Sequence, residues 1–351
     1  MVVVLGHQKQ FESLEAARIA GRMGHAYIFS GPDKIGKKAF ALEWISRIFD
    51  FSVKEKSALP DFLFLAPLVD PKTEKRAQEI TVDQIRGLIS KLSLSPVSGR
   101  YKVAIIDEAH LMNSEAQNCL LKTLEEPSGA ALLILVASNA ERLLETVRSR
   151  CQILRFNFLP ENQMRQLCRQ WRAENKIAMS DERANEIVEL SFGRPGRMVD
   201  FLKNLDLAQK WQKAAKEFTR IVASELPEKF AYAKKITDSE NSEMDLGEIV
   251  EIWQSHFRNK LLESLKSENS AWVGPTQSAQ AKILRGSDPR NPREEESAQF
   301  VFSKLKDKEK NDDQLPEKFA GILKKIQTLD FELRATNAHP RLTIENFLLD
   351  I

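Results

Sequence analysis

The stretch that decides the fold is Ser30-Gly31-Pro32-Asp33-Lys34-Ile35-Gly36-Lys37-Lys38. It follows a short apolar run and precedes a helical pattern, which is the context that phosphate-binding loops of the GxxxxGK type require. In such a loop Gly31 and Gly36 let backbone N–H groups surround phosphates, and Lys37 reaches the β- and γ-oxygens. Lys38 stands where a Ser or Thr hydroxyl would bind Mg²⁺. The alternative interpretation is a glycine-containing turn before a helix, and nucleotide binding itself stays open.

Short aliphatic runs alternate with helical patterns on both sides of this loop. The predicted strands cover residues 27–30, 62–65, 103–106, 132–137 and 153–156. Between them, apolar residues recur at helical spacing in 40–49 and 85–92, as expected of helices that pack on a sheet. This alternation predicts a parallel α/β sheet within a domain over residues 1–158.

Two adjacent carboxylates, Asp107 and Glu108, end the apolar strand at 103–106. In a nucleotide hydrolase the first would hold Mg²⁺ and the second would orient the attacking water. A strand that ends in Asp-Glu is a weak signal alone, because it is also an ordinary solvated strand end. Its position after a phosphate-loop pattern strengthens both interpretations.

Strand patterns stop after Pro160, and the rest of the chain has helical periodicity. Residues 159–205 predict a small helical domain, and 206–351 predict a larger helical domain with core anchors at Trp211, Phe218, Phe230, Trp253 and Phe257. Within the larger domain, 266–297 is rich in Gly, Pro and polar residues, which favours a loop or a mobile connection.

Composition limits the remaining possibilities. Lys and Arg total 52 against 50 Asp and Glu in 351 residues, so the net charge of +2 supplies no global attraction for nucleic acid. The apolar runs are shorter than the ~20 residues of a membrane helix, and 1–5 lacks the features of a signal peptide, so a cytoplasmic protein is expected. Cys119, Cys151 and Cys168 lack disulfide or metal spacing, which favours reduced thiols.

Three segments together resemble the clamp-loader branch of the AAA+ ATPases. They are the stretch Ile106 to Asn113, the stretch Asn118 to Pro127, and the tripeptide Ser149-Arg150-Cys151. Within that branch, the segments 25–32 and 337–349 are similar to the delta-prime group of DNA polymerase III subunits. The resemblance implies an AAA+ P-loop domain over 1–158, a helical lid over 159–205 and a helical collar over 206–351 that mediates oligomerisation. The whole would be a cytoplasmic hetero-oligomer that sets a sliding clamp on primed DNA during replication.

The resemblance also implies roles and partners. Arg150 would act in trans as an arginine finger on the ATP of a neighbouring subunit, with Mg-ATP held there. Gly31, Gly36, Lys37, Lys38, Asp107 and Glu108 would form a degenerate nucleotide site that requires no cofactor and binds ATP or ADP weakly or not at all. The implied partners are gamma/tau and delta subunits, with the clamp and primer-template DNA contacted through the complex and no membrane.

Several positions depart from an active loader ATPase. Lys38 replaces the Mg²⁺-binding hydroxyl, and Gly196 aligns with a phosphate-sensing arginine, although Arg197 lies one residue away. Many relatives carry a four-cysteine zinc module after the first helix, whereas residues 50–60 hold neither Cys nor His, so no structural metal is expected.

These departures favour a subunit that does not hydrolyse ATP itself. The intact Lys37, Asp107 and Glu108 favour the alternative of a gamma/tau-type motor subunit. A free-standing DNA-binding module is a third hypothesis, but no basic aromatic stripe supports it.

Overall fold

The computed structural model describes residues 6–49, 60–68, 77, 79–97, 101–127, 131–238, 244–267, 315–335, 339–349 and 351. By internal contacts the chain divides into two compact units, Met1–Leu202 and Lys203–Ile351. The first unit contains most of 159–205, and the prediction that these residues form a separate lid domain stays a prediction.

The first unit is built on a parallel five-stranded sheet. Its strands are β1 (Ala26–Ser30), β2 (Phe62–Leu65), β3 (Lys102–Ile106), β4 (Ala131–Ala137) and β5 (Gln152–Arg155), in the spatial order β2-β3-β4-β1-β5. The predicted α/β class and all five strands are therefore confirmed. Four of the strands have ends that differ by one residue from the predicted ones. The central strands β3 and β4 are buried along their whole length, as strands covered on both faces must be.

Helices cover both faces of this sheet. The helices of the first unit are α1 (Gln8–Ile19), α2 (Lys37–Phe49), α3 (Val82–Leu92), α4 (Ser114–Glu125), the short α5 (Glu145–Arg148), α6 (Glu161–Glu174), α7 (Asp181–Leu190) and α8 (Pro195–Lys203), whose last residue crosses into the second unit. Alternate strand residues face opposite layers: Val103 and Ile105 pack with α1 and α2, whereas Ala104 and Ile106 pack with α3 and α4.

Aromatic rings fill the layer between α2 and the sheet. Phe29 of β1 lies 5.5 Å from Phe40 of α2 and 5.4 Å from Phe156, which follows β5, and the last two rings are 4.9 Å apart. Trp44 stands edge-on to Tyr27 at 5.3 Å. These rings fix α2, and therefore the loop that precedes it, against the sheet.

The described part of the second unit is entirely helical. It consists of α9 (Leu205–Val222), α10 (Leu226–Thr237), α11 (Leu246–Ser267), α12 (Leu315–Ala335) and α13 (Pro340–Leu349). Trp253 of α11 is fully buried and stacks between Phe218 of α9 at 4.8 Å and Phe347 of α13 at 5.3 Å, with 14° between the ring planes in both pairs. One side chain thus joins three helices.

Four of the five predicted anchors of this unit are buried, and the prediction for the fifth was wrong. Phe230 is only half-buried, because α10 turns the face that carries Tyr232, Ala233 and Ile236 inward. The predicted loop at 266–297 lies outside the described residues except for its first two, which belong to α11. In the part of the chain that the structure describes, no helix is long and apolar enough to cross a membrane.

We expect Trp253→Ala to destabilise the helical unit by about 3–5 kcal/mol, because the substitution leaves a cavity between two stacked rings. Urea unfolding followed by circular dichroism measures the change. Leu342→Ala on α13 is the control, since that side chain is 59% exposed and should change stability by less than about 0.5 kcal/mol. Equal effects of the two substitutions would contradict the central role of Trp253.

Candidate functional site

The candidate site lies at the carboxyl ends of β1, β3 and β4. Strand β4 pairs in parallel with both neighbours, with Ser30 opposite Ala137 and Ile106 opposite Leu135. The segments that follow these strands therefore emerge at the same edge of the sheet. This pairing brings the phosphate-loop residues and the Asp107-Glu108 pair together, as the sequence predicted.

Two glycines give the loop its path. A Cβ atom on Gly31 would lie 2.3 Å from the carbonyl oxygen of Phe156, so no side chain fits there. Gly36 has φ of 100°, a conformation that side chains rarely adopt. The loop thus passes close to the sheet and turns sharply into α2.

Lys37 is buried beneath this loop, where its side chain is 6% exposed. Its ammonium donates hydrogen bonds to the carbonyl oxygens of Gly31 at 2.5 Å and Pro32 at 2.7 Å. Burial lowers the pKa of Lys37 to about 8, and the nearby positive charge of Arg194 contributes to that lowering, whereas Asp33 and Asp107 oppose it. The amine therefore still carries its charge on most molecules at neutral pH.

Lys38 forms an ion pair with the carboxylate predicted to hold metal. Its Nζ lies 3.0 Å from Oδ2 of Asp107 and 4.5 Å from the centre of the Phe64 ring. A Mg²⁺ ion on Asp107 would lie about 2.1 Å from the carboxylate oxygen and would need further oxygen ligands. Lys38 supplies no oxygen and places a like charge at that position.

The size of this repulsion can be judged from Coulomb's law. Two unit charges 4 Å apart interact by about 4 kcal/mol near a protein surface, and a divalent ion roughly doubles that value. The side chain of Lys38 is half-exposed and could swing away, but it would then abandon Asp107 and the ring of Phe64. The residues present do not fit Mg²⁺.

The backbone after β3 is held in a tight turn. The amide of Glu108 donates to Oδ1 of Asp107 at 3.1 Å, and Glu108 itself has a left-handed backbone, with φ of 52°. His110 accepts a hydrogen bond on Nδ1 from the Ser138 amide at 3.3 Å, and burial lowers its pKa to about 4. A neutral imidazole therefore links β3 to the end of β4.

The start of α8 packs directly on the phosphate loop. The Gly196 amide donates to the Lys34 carbonyl at 2.8 Å, and Lys34 Nζ lies 2.9 Å from Oδ2 of Asp200, one turn further along α8. A Cβ atom on Gly196 would lie 2.6 Å from that same carbonyl oxygen. Only glycine permits this close approach. Gly196 is also the residue expected to align with the phosphate-sensing arginine of active loader subunits. The adjacent Arg197 is buried, at 5% exposed.

Two residues at the site were missed by the sequence interpretation. His7 is buried, its Nε2 lies 3.3 Å from the loop carbonyl of Ile35, and its ring stands edge-on to Phe156 at 4.8 Å. Arg194 is buried close enough to Lys37 to affect its pKa. No local pattern marks either residue, because each reaches the loop from a distant part of the chain.

Arg150 lies at the opposite end of the strands from the candidate site, just before the amino end of β5. Its Nη2 lies 2.5 Å from Oε1 of Glu125, at the end of α4, and its Nη1 donates to the Thr146 carbonyl at 3.0 Å. The guanidinium side chain is 35% exposed. Since β1 and β5 are parallel, about four residues of strand, or roughly 13 Å, separate Arg150 from the phosphate loop of its own chain.

The three cysteines form no disulfide with one another in the structure, and Cys168 is buried. Among the described residues, no group of three or more His, Cys, Asp or Glu side chains could hold a metal ion. Most of segment 50–60 lies outside the described residues, so the absence of structural zinc stays a prediction.

The amino-terminal part of the chain is similar in sequence to known proteins. Residues 6–160 match the family model described as DNA polymerase III, delta subunit. A DNA polymerase III subunit delta' of Pseudomonas aeruginosa is 34% identical over 151 residues, which is 38% of this chain and 44% of that protein. Residues 6–160 are therefore similar to this family of DNA polymerase III subunits.

Relatives of a second type match almost as well. The subunit gamma/tau of Mycobacterium tuberculosis is 30% identical over 211 residues, covering 58% of this chain and 36% of that protein. A gamma subunit-related protein of Thermotoga maritima has a similar structure, at 18% identity and a TM-score of 0.40 over 91% of this chain and 99% of that one, and this likeness supports no functional inference. The matched segments span less than half the length of the curated clamp-loader relatives.

We expect His7→Gln to reduce the loss of stability at acid pH. Burial lowers the pKa of His7 from 6.5 to about 4, so the unfolded chain binds more protons between these values. The stabilisation is therefore complete above pH 6.5 and is lost as pH falls toward 4, by at most about 3 kcal/mol. Glutamine keeps a donor for the Ile35 carbonyl but does not titrate.

The measurement is urea unfolding of the wild type and the variant at a series of pH values from 7 to about 4.5. His339→Gln, at an exposed residue, is the matched control and should follow the wild-type pH profile. A wild-type profile for His7→Gln as well would show that His7 titrates normally in the folded protein.

Proposed function

We propose that this chain is a delta-prime-type subunit of the DNA polymerase III clamp loader. It does not hydrolyse ATP itself but supplies Arg150 to the ATP site of a neighbouring subunit. The observation that carries the proposal is the Lys38–Asp107 ion pair of 3.0 Å, because it occupies the metal-binding carboxylate of the nucleotide site. Phosphoryl transfer to water depends on that metal to neutralise developing charge.

The lid supports the same proposal. An arginine at position 196 would have to direct its side chain toward phosphate, but a side chain of any kind there meets the Lys34 carbonyl oxygen. Relative to the pattern of an active hydrolase, the site therefore lacks the hydroxyl that would bind the metal and an arginine at position 196. Lys37, Asp107 and Glu108 remain to position a nucleotide.

The position of Arg150 supports a role in trans. It stands across the sheet from its own phosphate loop, and its contacts with Glu125 and the Thr146 carbonyl hold the guanidinium at an accessible edge. A guanidinium remains charged at all relevant pH values and offers paired donors to phosphate oxygens. In a ring of subunits, such a residue can serve only a neighbour's nucleotide.

The alternative is an ATP-hydrolysing gamma/tau-type motor subunit. Retention of Lys37, Asp107 and Glu108 and the near-equal identity to gamma/tau relatives favour it. As partners we propose the gamma/tau and delta subunits, contacted through the helical unit, with the sliding clamp and primer-template DNA reached through the complex.

The experiment that separates the two hypotheses is ATP turnover by the purified full chain. We expect no Mg²⁺-dependent phosphate release by the wild type, and none by Lys38→Thr, because that substitution restores a metal ligand but leaves Gly196 in place. A coupled phosphate-release assay measures both proteins. Turnover by the wild type would establish the motor hypothesis, and turnover by Lys38→Thr alone would show that the lid does not limit the reaction.

We expect Arg150→Ala to abolish the contribution of this chain to ATP hydrolysis by the neighbouring subunit. In a reconstituted clamp loader, ATP hydrolysis at the adjacent site should fall by roughly 10³-fold or more, while assembly is unchanged. Single-turnover hydrolysis and clamp loading on primed DNA measure the loss, and size-exclusion chromatography measures assembly.

Arg148→Ala is the matched control, because Arg148 lies two residues away and contacts Glu141 at 3.8 Å within its own chain. It should reduce hydrolysis much less. Normal hydrolysis and clamp loading by a fully assembled Arg150→Ala complex would remove the arginine-finger assignment.

A further inference from the structure

We propose that the Lys38 ammonium takes the place of Mg²⁺, so that this site binds the polyphosphate of a nucleotide in its metal-free form. The inference deepens the proposed function, on which it rests for the identity of the site.

The position of Lys38 is that of a bound cation. Its nitrogen lies 3.0 Å from the Asp107 carboxylate, close to where a metal on that oxygen would lie. The nitrogen also lies over the face of Phe64, which favours a cation by its ring electrostatics. Two independent contacts therefore hold one positive charge at the end of β3.

The charge of Asp107 makes this cation necessary. Asp107 is 8% exposed and lies at the same end of the sheet as the loop, where an unscreened carboxylate would repel a phosphate group. In a Mg²⁺-dependent site the metal lies between carboxylate and phosphate and cancels this repulsion. In this chain the Lys38 ammonium neutralises the Asp107 carboxylate instead. Unlike a metal ion, this cation is part of the polypeptide.

The loop retains the rest of a phosphate site. Beside Gly36 there is open space, since a Cβ atom there would meet nothing within 4 Å. Helix α2 has 13 residues and its amino end closes the loop, and Lys37 is buried beneath the loop with Arg194 nearby. A polyphosphate would replace the two carbonyl oxygens that now accept from Lys37, which predicts moderate affinity. Lys38 then makes the metal dispensable.

The test is equilibrium binding of a fluorescent ATP analogue to the full chain, once with EDTA and once with excess Mg²⁺. For the wild type we expect saturable binding in EDTA and an affinity that Mg²⁺ changes by no more than about threefold. For Lys38→Thr we expect affinity in EDTA to fall about tenfold or more and to be recovered with Mg²⁺, since the hydroxyl now serves as a metal ligand.

Lys91→Thr is the control, because it removes one exposed positive charge at the end of α3 in the same unit and should bind as the wild type does. Circular dichroism verifies that each variant is folded. The inference is overturned if the wild type does not bind in EDTA, if it requires Mg²⁺, or if Lys38→Thr binds in EDTA as tightly as the wild type. The proposed function fails on a different readout, Mg²⁺-dependent turnover.

Discussion

The parallel pairing of β1 and β3 with β4 is the constraint on which both ends of the sheet depend. It places the phosphate loop, the Asp107-Glu108 turn and the end of β4 at one edge. The same pairing, extended through β5, sends Arg150 to the other edge. Within one chain the sheet thus holds Arg150 apart from the loop that contains Lys37 and Lys38.

The arrangement of charges at Lys38 and Asp107 distinguishes this candidate site. Lys37, Asp107 and Glu108 are all present and lie where the loop pattern requires. Lys38, at the position of the hydroxyl residue in the loop pattern, forms an ion pair with the Asp107 carboxylate. Gly196 allows the backbone of α8 to bond to the Lys34 carbonyl.

Much of this arrangement was predictable from sequence, because it depends on local patterns. The strand positions follow from short aliphatic runs, and the meeting of the loop with Asp107 follows from parallel strand order. The contacts of Lys38 were not predictable, since an absent hydroxyl does not tell which group the replacing lysine meets. His7 and Arg194 were missed because tertiary packing alone brings them to the loop. Phe230 was misassigned because the rotation of α10 is decided by its partners.

The approach of Gly196 to Lys34 restricts which residues position 196 can hold. A side chain at 196 would collide with a backbone atom 2.6 Å away, which no rotamer change can relieve. Any side chain at position 196 would therefore require the start of α8 to move away from the loop. The hydrogen bond between the Gly196 amide and the Lys34 carbonyl would be lost in that movement, so one glycine sets how closely this helix packs on the loop.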